Sequence, residues 1–272
     1  MRAVTAADVA RHLTMTVTGR TNHADLLSRL SRNGSVTVAA SSPPLQTSRP
    51  VSYHDTVYDV SRETTDQSSA TAYTVALTRP PETATNGSIR FSALPAVDRR
   101  KLARAGLGGG EPLGVATRLE YTDDERGRSE LVPTPTHPVI GWESGRRAGI
   151  DVRDPTPITV YTYEYTATET GSVTAYGADV LDQYGFTLTG LSSGEERILR
   201  QAIDGANGFV VDRGRPLSAA FRSLVRQFDS ERPVRQIGAS RVSGEYLVEY
   251  RNDTYWTKLV VRQAARDRSN DG

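Results

Sequence analysis

Cysteine is absent, which removes disulfides, thiolate catalysis, iron–sulfur clusters and thiolate zinc sites together. An excess of either charge is absent too: 33 basic side chains face 32 acidic ones, for a formal net charge of +1. A dedicated nucleic-acid binder rests its affinity on a clear basic excess, so near-neutrality argues against one. Lysine is scarce; Lys101 and Lys258 are the only two, and arginine supplies the other cations. No stretch approaches the roughly 18 consecutive apolar residues of a membrane span. The opening MRAVTAADVARHL carries Asp8 and lacks the apolar core of a secretory signal. As encoded, the chain is expected to be soluble and cytoplasmic. The hydrophobic share of 37% is low for a globular protein yet above the disordered range, and 272 residues suffice for two domains with sizeable cores.

What is present is self-similarity. Leu94 to Ala105 reads LPAVDRRKLARA and Leu191 to Ala202 reads LSSGEERILRQA, which match at Leu94/Leu191, Arg100/Arg197, Leu102/Leu199 and Ala105/Ala202, with Asp98 facing Glu195. Upstream, SATAY (Ser69 to Tyr73) matches SVTAY (Ser172 to Tyr176) in the same order along the chain. Together they indicate a duplication. In the first copy Tyr73, Val75 and Leu77 alternate with Thr74, Ala76 and Thr78 as a half-buried strand. Ile89 and Phe91, like Phe186 and Leu188, lead into a helix. The helix starts are marked by Pro95 with Asp98, and by a Ser192-x-x-Glu195 capping box. Ile198, Leu199, Ala202 and Ile203 then share one apolar face.

Both copies close on an expected hairpin: Val139 to Trp142 turning through Ser144-Gly145, and Tyr246, Val248 and Tyr250 turning through Asn252-Asp253. A further helix, Leu217 to Phe228, follows Pro216 and carries Leu217, Phe221, Leu224, Val225 and Phe228 on one stripe. Thr5 to Asp8 is another cap-like T-x-x-D before a short helix. YHDTVY (Tyr53 to Tyr58) resembles YRNDTYW (Tyr250 to Trp256) if one inserted residue is allowed. The expected organisation is a partial unit over 1–61 with its front strands missing, complete units over 62–155 and 156–262, and a disordered tail over 263–272. In that case Met1 falls inside a longer ancestral protein, and the lack of a secretory signal says little about the compartment. SSPPLQTSRP and VPTPTHP serve as proline-rich loops.

Chemistry-bearing motifs are few. The glycine run from Gly106 to Gly110 follows a helix and ends at Glu111, where a dinucleotide fingerprint needs glycine; it reads as a flexible helix exit. His12, His23, His54 and His137 have no partner at metal-binding spacing, and neither HExxH nor G-x-S-x-G occurs. Asp123, Asp124 and Glu125, in TDDERGR, read as a solvated hairpin turn rather than a cation site. Asp98 and Glu195 read as first-turn acids favoured by the helix dipole. No catalytic residue, metal ligand or cofactor is assigned. Between Arg213 and Arg241, seven arginines face only Asp229 and Glu231. Arg213, Arg215, Arg222, Arg226, Arg232 and Arg235 are therefore the candidate polyanion contacts, against the plainer reading as the polar side of a helix and its loops. Tyr161, Tyr163 and Tyr165 share one strand face, and with Tyr255 and Trp256 they read as sheet packing before a stacking platform. Asn33, Asn86 and Asn252 head N-x-S/T sequons and are the candidate glycosylation sites.

LPAVDRRKLARAGL, LSSGEERILRQAI with PLSAAFRSLVRQF, and the closing GEYLVEYRNDTYW resemble uncharacterised repeat domains of haloarchaeal cell-envelope and secreted proteins. Those domains combine a strand, a D-R-R-x-L-type helix and a terminal hairpin with Tyr on each side of its turn. Scarce lysine and absent cysteine fit that group, whereas the balanced charge departs from its usual acidic excess. The resemblance implies an envelope or extracellular location and no reaction.

The sequence therefore predicts an α+β fold: a tandem repeat of small antiparallel sheets, each packed with helices and closing on a β-hairpin. The expected function is a non-enzymatic cell-envelope or interaction module with a protein or surface partner. A polyanion-binding or nucleic-acid-binding protein acting through Arg213 to Arg241 is the alternative. A hydrolase with a carboxylate site assembled from distant residues comes third.

Overall fold

A computed structural model describes residues 1–18, 22–80, 87–206, 208–211 and 216–261. The chain is mixed α+β. It begins with β1 (Arg2–Ala3), α1 (Ala6–Leu13), β2 (Met15–Thr16), α2 (Asn22–Asn33), β3 (Ser35–Ala40), β4 (Val51–Tyr53) and the long β5 (Thr56–Thr78). Next come β6 (Ser88–Arg90), a 3-10 turn (Phe91–Ala93), α3 (Ala96–Arg104), β7 (Ala116–Thr122), α4 (Asp123–Arg126), β8 (Val139–Gly141) and the long β9 (Arg147–Ser172). The last third holds α5 (Val173–Tyr184), β10 (Gly185–Thr187), α6 (Ser193–Asp204), α7 (Ala219–Asp229), β11 (Arg235–Gln236), β12 (Gly244–Tyr250) and β13 (Asp253–Leu259). The expected tail over 263–272 lies outside the described residues.

Helix starts follow local capping chemistry. Thr5 and Ser192 form reciprocal capping boxes with Asp8 and Glu195, which satisfies two orphan amide donors at each helix end. Ser218 caps α7, so that helix starts later than Pro216 suggests, at Ala219. TDDERGR is a correction: Thr122 and Glu125 close a third capping box, and the acids begin the short helix α4 instead of a hairpin turn. The SATAY and SVTAY segments also part company. The first is strand, inside β5, whereas Ser172 caps α5 and turns the second into helix. A short sequence match lost to its tertiary surroundings.

Contacts divide the chain into two compact units. Unit 1 comprises Met1–Gly34, Thr47–Ser61 and Ala167–Gly272; unit 2 comprises Ser35–Gln46 and Arg62–Thr166. The sheets of both are mixed, not purely antiparallel as the sequence suggests. In unit 1, β10 runs parallel to β12, which pairs antiparallel with β13, and β13 in turn takes β1 on its other edge. One face of this sheet buries Tyr246, Val248 and Tyr250 against Leu199, Leu224 and Phe228 of α6 and α7. The other face presses Leu247 and Trp256 onto Val9 of α1 and Val180 of α5. Two-sided burial explains why Leu247, between the alternating Tyr246 and Val248, is apolar and buried as well. Also in unit 1, β2 runs parallel to β4, and β4 turns antiparallel into β5, with Val173 N–H donating to the carbonyl of Asp55 where β5 meets β9. A Cβ on Gly177 of α5 would stand 1.8 Å from the carbonyl oxygen of Ala6, so α1 and α5 touch there backbone to backbone.

In unit 2, β6 runs parallel to β8, β8 turns antiparallel into β9, and β9 lies beside β5. β7 pairs with β5, and β3 pairs with β9. The core collects Tyr73, Val75, Leu77, Leu102, Leu119, Tyr121 and Ile140. Asp98 stands in the first turn of α3, as expected, and is wholly buried inside this core. It accepts hydrogen bonds from Tyr121 Oη at 3.0 Å, Ser129 Oγ at 2.6 Å and the Glu130 N–H at 2.9 Å. Burial, and then the Asp98 carboxylate, push the Tyr121 hydroxyl well above its ordinary pKa. The proton stays on Tyr121, which keeps it a donor.

Two hairpins turn through two residues of positive φ: His54 (47°) with Asp55 (63°), and Arg251 (53°) with Asn252 (68°). These are type I′ geometries, which match the twist of the flanking strands. Tyr250 pairs with Asp253, so the turn sits one residue earlier than Asn252-Asp253. Tyr53 likewise pairs with Thr56, so VSYHDTVY and VEYRNDTY superpose without the insertion the sequence seems to need.

Candidate ligand cleft

The third hairpin, β8 to β9, differs from these two. Gly141 pairs with Arg147, leaving Trp142 to Arg146 as a longer loop. Beneath it lies the glycine run. Gly106 (φ 79°) follows α3, its N–H bonding the carbonyl of Ala103 while the Leu107 N–H bonds that of Leu102. This is a Schellman cap, an ordered helix exit and not a loose one. The run then seats a side chain instead of a phosphate. Trp142 Nε1–H donates to the Gly108 carbonyl at 2.7 Å. A Cβ on Gly110 would meet the Trp142 ring at 3.0 Å, so only glycine allows the indole this close. Phe91, from the turn after β6, stacks on Trp142 with centroids 5.8 Å apart and planes inclined by 21°.

Around these rings an open cleft of about 450 Å³ is lined by Phe91, Ser92, Gly109, Trp142, Glu143, Ser144 and Arg146. Arg146 is steadied by Glu111 at 3.2 Å and by the Gly109 carbonyl at 3.5 Å. Ser92, Glu143 and Ser144 are exposed. Close by along the chain, Leu113 and Val115 are among the most exposed large apolar side chains described. The arrangement can hold a small amphipathic ring. It contains no histidine, and its lone carboxylate with two hydroxyls assembles no acid–base pair.

A second cleft, in unit 1, is lined by Leu13, Tyr176, Asp179, Val180, Gln183, Tyr184 and Val234, among others. Arg232 lies over the Tyr184 ring at 5.1 Å, one of several arginines of the basic segment occupied locally. Arg235 pairs with Glu245 at 3.4 Å, and Arg241 with Asp229 at 3.5 Å. Arg222 and Arg226 are exposed on α7, whereas Arg213 and Arg215 lie outside the described residues. Of the sequons, Asn33 is exposed at the end of α2 and Asn252 is exposed in its turn; Asn86 lies outside the described residues. Tyr163 and Tyr165 are buried in the sheet, and Tyr165 Oη donates to the Leu45 carbonyl. Among the described residues, no group of three or more His, Asp or Glu side chains is placed to hold a metal ion, and no helix is long and apolar enough to cross a membrane.

Sequence reasoning missed the cleft because Phe91, the glycines and Trp142 meet only through the parallel pairing of β6 with β8. The available hint was the glycine run itself, coupled to a hairpin loop longer than its counterparts. No protein-family model matches the chain, nor does any curated protein or solved structure.

Proposed function

We propose that this chain is a non-enzymatic interaction module of the cell envelope, built by tandem repetition of one small unit and meeting its partner through loops on that scaffold. The observation that carries the reading is one recurring strand order. The sets β2-β4-β5-β9, β6-β8-β9-β5 and β10-β12-β13-β1 each begin with two parallel strands joined through a helix. Each continues across a short antiparallel turn, and each adds a fourth strand on the far edge. Solenoid-like and repeat proteins use such a constant frame to carry variable loops, often on a binding face. The sets cut across the bounds 1–61, 62–155 and 156–262, because β5 (Thr56–Thr78) and β9 (Arg147–Ser172) each run through two of those spans. The likeness to haloarchaeal envelope repeats supports the location.

Fractionation of cells carrying the epitope-tagged gene product tests the reading: the protein is expected in the envelope or secreted fraction. A cytosolic protein with hydrolytic turnover that disappears on one carboxylate substitution overturns it. A second reading, polyanion binding, is favoured by Arg222 and Arg226, which sit one turn apart, exposed, on α7. It requires polyphosphate or duplex DNA affinity that falls steeply with log salt and disappears in the Arg222→Ala/Arg226→Ala double variant.

A further inference from the structure

We propose that the Phe91–Trp142 cleft is a carbohydrate subsite for one neutral pyranose ring; the proposal rests on the interaction-module reading above. The loop that builds the cleft belongs to one hairpin alone. β4–β5 and β12–β13 close through two residues each, whereas Trp142 to Arg146 closes with the Gly145 N–H on the Trp142 carbonyl and the Trp142 N–H on the Arg146 carbonyl, a wider turn that carries the indole, Glu143, Ser144 and Arg146 on one loop. Its aromatic wall is fixed before any ligand arrives, by the Nε1–H bond to Gly108, the close approach of Gly110 and the stack on Phe91. Preorganisation of this kind lowers the entropic cost of binding.

A pyranose presents an apolar C–H face and a girdle of hydroxyls that donate and accept. The cleft offers the complement: two aromatic rings, and a rim with an acceptor (Glu143), a donor (Arg146) and two groups that do both (Ser92 and Ser144). Among the described residues, the side chains of Ser92, Glu143 and Ser144 make no hydrogen bond or ion pair, so they remain available to a ligand. Arg146 is already paired with Glu111, so Glu143 leaves the rim without surplus positive charge, which suits a neutral sugar over a phosphorylated one. About 450 Å³ lies within the usual range of small-molecule sites, roughly 300–1,000 Å³.

The test is titration of the full chain with methyl glucoside, galactoside and mannoside and with N-acetylglucosamine, followed by tryptophan fluorescence and ligand-observed NMR. Saturable binding of at least one sugar is expected, with Glu143→Gln and Arg146→Ala each weakening it about tenfold, the loss of one charged hydrogen bond. Circular dichroism confirms that both exposed substitutions leave the fold intact. No saturable binding of any of the four sugars, or binding unchanged in both variants, overturns the assignment. Binding of adenosine in place of sugar also overturns it, because a flat heterocycle needs the rings and not the rim. Each of these failures leaves the interaction-module reading standing; that reading fails separately, on turnover and cytosolic location.

Discussion

Asp98 and Gly177 set the limits of tolerance at the scale of single residues. No ion pair to the buried Asp98 carboxylate forms among the described residues; three donors converge on it instead, and removing it strands all three. Asp98→Ala is expected to cost about 3 kcal/mol or more, the penalty of unpaired buried donors, read as a fall in urea midpoint at unchanged slope. Gly177→Ala places a methyl within 1.8 Å of the Ala6 carbonyl. Because that neighbour is backbone, α1 and α5 must separate, and a loss of about 3 kcal/mol is expected, the upper range for overpacking. A Gly177→Ala protein as stable as the parent would show that the two helices do not meet at this point. Neither residue announces itself in sequence: Gly177 is one of 23 glycines, and Asp98 resembles any first-turn acid.

Caps and turns carry the next scale, and here the sequence is more legible. The Thr5 and Ser192 boxes are written in four consecutive residues each, because a cap closes within one helical turn. Hydrogen bonds from Ser192, its backbone N–H and then its hydroxyl, hold the Glu195 carboxyl below the ordinary carboxylate range. A depressed folded pKa stabilises the protein above the unfolded value, about 4.3, and that contribution is lost as pH falls through the folded value. Glu195→Gln is therefore expected to flatten the acid limb of a stability–pH profile below about pH 4, read from urea midpoints between about pH 3 and pH 6. The turns permit the opposite experiment. His54 occupies a left-handed conformation that asparagine tolerates better, so His54→Asn is expected to raise stability by about 0.5–1 kcal/mol, measured by thermal unfolding. A loss of stability would mean that the His54 ring contact with Tyr53, at 4.1 Å, outweighs the backbone strain.

Long-range pairing decides the behaviour of the whole molecule. Within unit 1, β1 from the start of the chain completes the sheet of β12 and β13 from its end, and the Met1 ammonium donates to the Ala202 carbonyl at 2.8 Å. Unit 1 is accordingly expected to open cooperatively: in native-state hydrogen exchange, the amides of α1, α6 and β13 share one opening free energy. Separate free energies for α1 and α6 would mean that the segments fold independently. The sequence by itself determined the α+β class, the cap signals at Thr5 and Ser192, and the helix at Leu94 to Ala105 and its counterpart. Each depends on residues within a few positions of one another, where periodicity and hydrogen bonding act directly. Only the tertiary structure decided that β2, β6 and β10 return parallel partners, that SVTAY is helix while SATAY is strand, that Asp98 is buried, and that a glycine run receives an indole. Those outcomes depend on which surfaces meet after the chain has closed loops of tens of residues, and burial against a distant neighbour then outweighs local preference.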